Sequence, residues 1–185
     1  NLFGHASPMI MLANADGGIV DGRQLYGEKR MLVVWDYGTR VEYAQAINVL
    51  RVLQKARADL DASGVHIMFT QLRLPTNQRT WALNDTDLRA FQKKFGLPDH
   101  PPLPIYRFPN GTEFLAAREV GLEGAMTYRQ YIRQSPTIIL LDADGIVRWH
   151  SEGVQTPPPG DPLAGRGIDD EWTLIQAIEF AKSQL

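Results

Sequence analysis

The side chains that most often do covalent or redox work are sparse in this chain, and one of them is missing. None of the 185 residues is cysteine, so thiol nucleophiles, disulfide exchange and thiolate metal ligation are excluded. His5, His66, His100 and His150 are scattered without ligand-like spacing. His66 lies in an apolar run and His100 precedes prolines, so each reads as an ordinary strand or loop residue, and no metal or cofactor is expected. Asp142-Ala143-Asp144-Gly145 offers two carboxylates but lacks the rest of an EF-hand loop. Lying between two apolar runs, it reads as a hairpin turn. Asn84-Asp85-Thr86 and Asn110-Gly111-Thr112 match the glycosylation sequon, which matters only in a eukaryotic secreted protein. There is no phosphate-cradling G-x-x-x-x-G-K-[ST] loop and no G-x-S-x-G elbow.

One dense polar stretch remains, Trp35-Asp36-Tyr37-Gly38-Thr39-Arg40-Val41-Glu42. Within it, Thr39-Arg40-Val41-Glu42 fits the S/T-x-x-E capping box. The threonine hydroxyl would accept from the amide of Glu42, and the Glu42 carboxylate would reach back to the amide of Thr39. Such a cap is worth about 1 kcal/mol. Glu42 near the positive end of the helix dipole adds about 0.3–1 kcal/mol when exposed.

The elements that must position this stretch are legible on both sides of it. Met31–Trp35 is a continuous apolar run, the pattern of a strand covered on both faces. Val41, Ala44, Ile47, Leu50, Leu53, Ala56 and Leu60 recur at spacings of three and four, which predicts a long helix ended by Ser63-Gly64. Val65–Thr70 is the next strand, completing a βαβ unit with parallel strands and a right-handed crossover. Upstream, Met9–Leu12 and Ile19–Val20 flank Asn14–Gly18 as a hairpin. Downstream, Asp85–Phe95 predicts a helix closed by Gly96 with Pro98 beyond. Asp99–Pro109 is proline-rich and shows no clear element, Asn110-Gly111 reads as a turn, and short helical pieces are expected near Leu115–Val120 and Gly124–Tyr131. Thr137–Leu141 and Ile146–His150 form a second hairpin. A long loop, Gly153–Gly167, precedes a final helix with Asp169, Asp170 and Glu171 in its first turn and Leu174, Ile175, Ile178 and Ala181 on its apolar face.

Bulk properties narrow the partners. A chain of this length is most simply one domain, 1–185, able to bury roughly 70% of its unfolded surface. A net charge of −2 and the lack of a Lys/Arg stripe argue against nucleic acid. No apolar run approaches the roughly 20 residues of a membrane-spanning helix.

This order of elements, with several local strings, resembles the thioredoxin fold, in its TlpA/ResA-like and AhpC/TSA peroxiredoxin-like branch. Pro8 and the hairpin through Asp16-Gly17 resemble the family's N-terminal extension, taken here as residues 1–26. Gly27-Glu28-Lys29-Arg30 before Met31–Trp35 is similar to the strand that delivers the active site. Ser63-Gly64-Val65 through Thr70 is similar to the following strand. Most specific is Ser135-Pro136-Thr137-Ile138-Ile139-Leu140-Leu141-Asp142-Ala143-Asp144-Gly145-Ile146-Val147. The likeness implies a three-layer α/β/α sandwich around a mixed sheet, with Pro136 as the cis-proline facing the active site. Residues 99–134 match least well and read as a divergent insertion, as does the Pro/Gly-rich loop 153–167. By the same likeness, the two cysteine positions of the family fall on Thr39 and Glu42.

A threonine at that position stays un-ionised near neutral pH and forms no disulfide, and a carboxylate is a weak nucleophile. The expectation is therefore a redox-inactive domain that works by binding, as an accessory or assembly subunit whose partners are other proteins. TlpA-like relatives imply an extracytoplasmic place, peripheral to the membrane or anchored by a segment outside this sequence, in an electron-transfer complex. Two other readings stay open. One is an enzyme using a polar pocket of Asp36, Tyr37, Thr39, Arg40 and Glu42 facing Pro136, as glutathione transferases use a hydroxyl to activate a thiol. The other is a chaperone-like module that holds extended peptides. Copper carriers of this fold depend on thiolates that are absent here. The loop 153–167 reads either as a stiff, extended docking segment or as a solvated connector.

Overall fold

The computed structural model describes residues 2–7, 10–35, 40–71, 84–94, 103, 105–124, 136–153, 157–165 and 169–185. Its strands are β1 (Leu12–Asn14), β2 (Ile19–Val20), β3 (Lys29–Trp35), β4 (Val65–Gln71), β5 (Ile105–Arg107), β6 (Thr137–Leu141) and β7 (Val147–Glu152). The helices are α1 (Arg40–Ala62), α2 (Asp85–Lys94), α3 (Gly111–Glu119) and α4 (Asp169–Gln184). They form one seven-stranded mixed sheet in the order β2-β1-β5-β4-β3-β6-β7.

β3 is an interior strand, set between β4 and β6, and its sequence suits such a place. Met31 to Trp35 are all buried, so both faces of the strand need cover. It pairs in parallel with β4 from Lys29↔Val65 to Trp35↔Gln71, and antiparallel with β6 from Arg30↔Leu141 to Val34↔Thr137. The predicted βαβ unit and the β6–β7 hairpin are both present.

Alternation along the strands splits the core in two. Met31, Val33 and Trp35 meet Val49, Leu50, Leu53 and Leu60 of α1 and Leu174 and Ala177 of α4. Leu32 and Val34 join Met68, Ile139, Leu141 and Phe108 on the opposite face. The N-terminal segment helps to cover that second face. Gly4 N–H donates to Val147 O (2.7 Å), Val147 N–H to His5 O (2.9 Å) and Ser7 N–H to Gly145 O (2.8 Å). The chain then reaches β1 on the far side of the sheet, burying Leu2, Ile10 and Leu12 in the same cluster.

Two expectations are corrected, and one open choice, the loop 153–167, is narrowed. The proline-rich stretch contains β5, which pairs with β4 in parallel and with β1 antiparallel. Prolines on both sides hide a strand this short, and only its neighbours in the sheet stabilise it. Asn110-Gly111 is not a free-standing turn but the start of α3. Asn110 Oδ1 accepts from Glu113 N–H (2.8 Å) and Glu113 Oε1 accepts from Asn110 N–H (3.1 Å), a complete capping box. Residues 157–165 form successive turns rather than an extended segment. Asp161 N–H donates to Pro158 O (3.0 Å), Ala164 N–H donates to Asp161 O (3.0 Å), and Asp161 Oδ1 accepts from Leu163 N–H (2.8 Å). The expected helical piece from 124 to 131 lies outside the described residues beyond Gly124.

Candidate functional site

In sheets with parallel strands, ligands and reacting groups gather at the carboxyl ends of those strands. Here that edge is where β3, β4 and β5 end together. The register sets Trp35, Gln71 and Arg107 side by side in one row. The antiparallel ladder with β6 ends at the Val34↔Thr137 pair, next in sequence to Trp35 on one strand and to Pro136 on the other.

Trp35 closes β3 at 1% exposure, its ring stacked on Phe69 with centroids 3.5 Å apart and planes 24° apart. Gln71 beside it is fully buried. Pro136 is buried immediately before β6, and its carbonyl accepts from Gly153 N–H (2.8 Å). The Ser135–Pro136 bond, and with it the expected cis geometry, lies outside the described residues. So do Asp36, Tyr37 and Thr39 and the side chains of Arg40 and Glu42. α1 begins at Arg40, directly after Thr39 in sequence, which suits the expected cap position; the cap itself falls outside the described set. Of the predicted site residues, Trp35 and Pro136 alone have described side chains: Trp35 ends β3, and Pro136 immediately precedes β6, the strand paired with β3.

Sequence reasoning missed the strongest electrostatic feature of this edge. The Arg107 side chain, at 8% exposure, is gripped by two carboxylates. Nε and Nη2 donate to Asp85 Oδ1 (2.7 Å) and Oδ2 (3.2 Å), while Nη1 and Nη2 donate to Glu113 Oε1 (2.7 Å) and Oε2 (2.9 Å). Two bidentate pairs on one guanidinium tie the first turns of α2 and α3 to the end of β5. Hydrogen bonding to Arg107 holds the Glu113 carboxyl below its ordinary range, burial opposing it, and the same carboxylate raises the Arg107 pKa further. The Asn110-x-x-Glu113 spacing could have revealed the cap. Nothing local to Ile105-Tyr106-Arg107 announces the clasp, because Asp85 stands 22 residues away in sequence.

The secondary candidates take structural roles. Asn84 Oδ1 accepts from Asp87 N–H (2.9 Å) at the start of α2, so both sequon asparagines sit at helix starts. Asp142 Oδ1 accepts from Asp144 N–H (3.0 Å) and Ile146 N–H (3.0 Å), the geometry of a closed turn. His150, on β7, has an 8% exposed side chain; its Nδ1 accepts from Leu2 N–H (3.4 Å), and Glu152 Oε1 lies 3.3 Å from Nε2. Burial pushes its pKa below the ordinary value, with Glu152 opposing. Among the described residues no group of three His, Asp or Glu side chains is placed to hold a metal ion.

The strand order, the parallel β3–α1–β4 unit and the terminal β6–β7–α4 unit define a thioredoxin-like α/β fold without cysteine. Solved structures share it over nearly their whole length. A candidate thiol:disulfide interchange protein DsbE from Chlorobium tepidum superposes with a TM-score of 0.56 at 18% identity, covering 98% of each chain. A thioredoxin-like protein from Porphyromonas gingivalis gives 0.56 at 14% identity, over 100% of this chain and 97% of its own. A candidate electron transfer protein from Aquifex aeolicus VF5 gives 0.55 at 14% identity, over 98% and 99%. No protein-family model matches the chain, and no curated protein does. Identities this low carry the fold and not the activity.

Proposed function

We propose that this protein works by binding rather than by thiol chemistry, as an accessory or assembly subunit of a larger complex. The observation that carries the reading is a thioredoxin-like fold whose chain has no cysteine at all. The described part of the strand-end edge also favours it. Trp35 is stacked and buried, Gln71 is buried, and Arg107 is held by carboxylates on both sides, so these side chains serve to hold the edge rigid. A rigid edge with no reactive group among its described residues suits a docking face better than a reaction centre. The neighbours described as thiol:disulfide interchange and electron transfer proteins suggest the setting: an extracytoplasmic complex concerned with electron transfer, with this chain peripheral to the membrane or anchored by a segment outside this sequence. No helix among the described residues is long and apolar enough to cross a membrane.

The test is to isolate the protein from its native membranes in mild detergent, measure its native mass and identify what accompanies it. Stoichiometric co-migration with other subunits is expected. A free monomer near the 20.8 kDa of the chain itself would sink the reading.

A further inference from the structure

α1 and α4 pack together on the Met31–Val33–Trp35 face of the sheet. Each follows a strand of the same direction, because β7 is antiparallel to β6 and β6 to β3. The two helices run the same way, and Lys182 Nζ, 3.5 Å from Asp59 Oδ2, sets those two residues level. Between the helices a groove of about 320 Å³ opens to solvent. Its floor is apolar, made by Val52 and Ala56 of α1 and Ile175 and Ile178 of α4. Val52, Ala56 and Ile175 stay only half-buried.

The charges on the rim are of two kinds. At one end Lys182 is shared by Asp59 (3.5 Å) and Glu179 (3.3 Å). Lys55 on α1 and Glu171 on α4 also line the groove, and neither has an ion-pair partner among the described residues. They do not reach each other. At about 1.5 Å of rise per residue, and with Asp59 and Lys182 level, Lys55 and Glu171 stand about 10 Å apart along the groove. Val52 and Ile175 lie midway between those two levels.

This spacing suits a second copy of the chain. A twofold axis perpendicular to the groove, passing between Val52 and Ile175, lays α1 of each protomer antiparallel across α4 of its partner. Lys55 of each protomer then meets the partner's Glu171, and Val52 meets the partner's Ile175, so that one patch is its own complement. A uniformly acidic or basic partner would gain at one of these two charges and lose at the other.

We propose that this groove is the interface of a symmetric dimer, with Lys55 and Glu171 as its reciprocal ion pairs and Val52 and Ile175 at its centre. The interface lies on the helical face and does not depend on the docking role proposed for the strand-end edge.

The experiment is sedimentation equilibrium of the purified chain over a range of concentrations at low salt. A monomer–dimer equilibrium is expected, the monomer having a mass of 20.8 kDa. Lys55→Glu and Glu171→Lys each turn both attractions into repulsions, so each variant alone should dimerise about tenfold more weakly. An equal mixture of the two variants should recover the dimer, because their charges oppose each other at both contacts. Lys93→Glu on α2, outside the groove, changes the net charge by as much as Lys55→Glu and should leave the dimer intact. A monomer at every concentration, a dimer unmoved by either reversal, a mixture no more associated than its components, or an equal weakening by Lys93→Glu would each overturn the interface. None of these outcomes bears on co-migration with other subunits, which is read in native membranes.

Discussion

Arg107 shows how far one side chain can organise this protein. Replacing it with leucine leaves Asp85 and Glu113 beside each other without their shared cation. Both carboxylates left behind are partly exposed, so the loss is that of charge-assisted hydrogen bonds, and a fall of about 1.5–3 kcal/mol in urea stability is expected for Arg107→Leu. Glu113 adds a pH dependence whose sign is determined by its depressed pKa. Its stabilisation is present above the ordinary value of 4.5 and is lost as the pH falls through the lower folded value. Urea midpoints should therefore drop below about pH 4.5, and Glu113→Gln should flatten that drop. His150 works in a higher window. As a buried base with a lowered pKa, it charges more readily in the unfolded chain, so stability declines as the pH falls below 6.5 and levels off under the folded value. His150→Gln should remove that decline, and an imidazole NMR titration should place the folded pKa below 6.5.

At the scale of elements, short segments rely on caps and glycines. α3 buries only Ala117 among its residues, so its capping box matters more than its packing. Asn110→Ala should lower stability by about 1 kcal/mol, seen as a shifted thermal midpoint, and the exchange of the first α3 amides should quicken. Gly145, in the β6–β7 turn, has φ +77°, and a Cβ there would run into the Tyr26 ring. Gly145→Ala combines a left-handed backbone with a steric conflict, so it should cost more than the ~1 kcal/mol of an ordinary Gly→Ala at positive φ. α1 supplies the comparison. Its 23 residues carry Leu50, Leu53 and Leu60 fully buried, so truncating any one of them should cost about 2–5 kcal/mol.

At the scale of the whole molecule, the prediction concerns what the fold would do if given back its chemistry. Thr39 and Glu42 stand at the positions that resemblance assigns to the two cysteines. The double substitution Thr39→Cys with Glu42→Cys should yield a pair that oxidises to one disulfide, counted by thiol titration before and after reduction. The unmodified chain should show no disulfide reductase activity in the same assay. Two thiols that stay free under oxidising conditions would show that the register of the resemblance is wrong at this helix start.

The long elements declare themselves because their burial pattern is local. Met31–Trp35 is apolar at every position and α1 repeats at helical spacing, so each can be read within its own window. The absence of cysteine likewise needs no structure, since no folding creates a thiol. Only the tertiary structure decided that Ile105–Arg107 is a strand, because a segment that short is held by pairing with β4 and β1 and not by its own propensity. The same holds for the Arg107 clasp and for the row of Trp35, Gln71 and Arg107. Each joins residues far apart in the chain, and the register between strands, which no single segment encodes, brings them together.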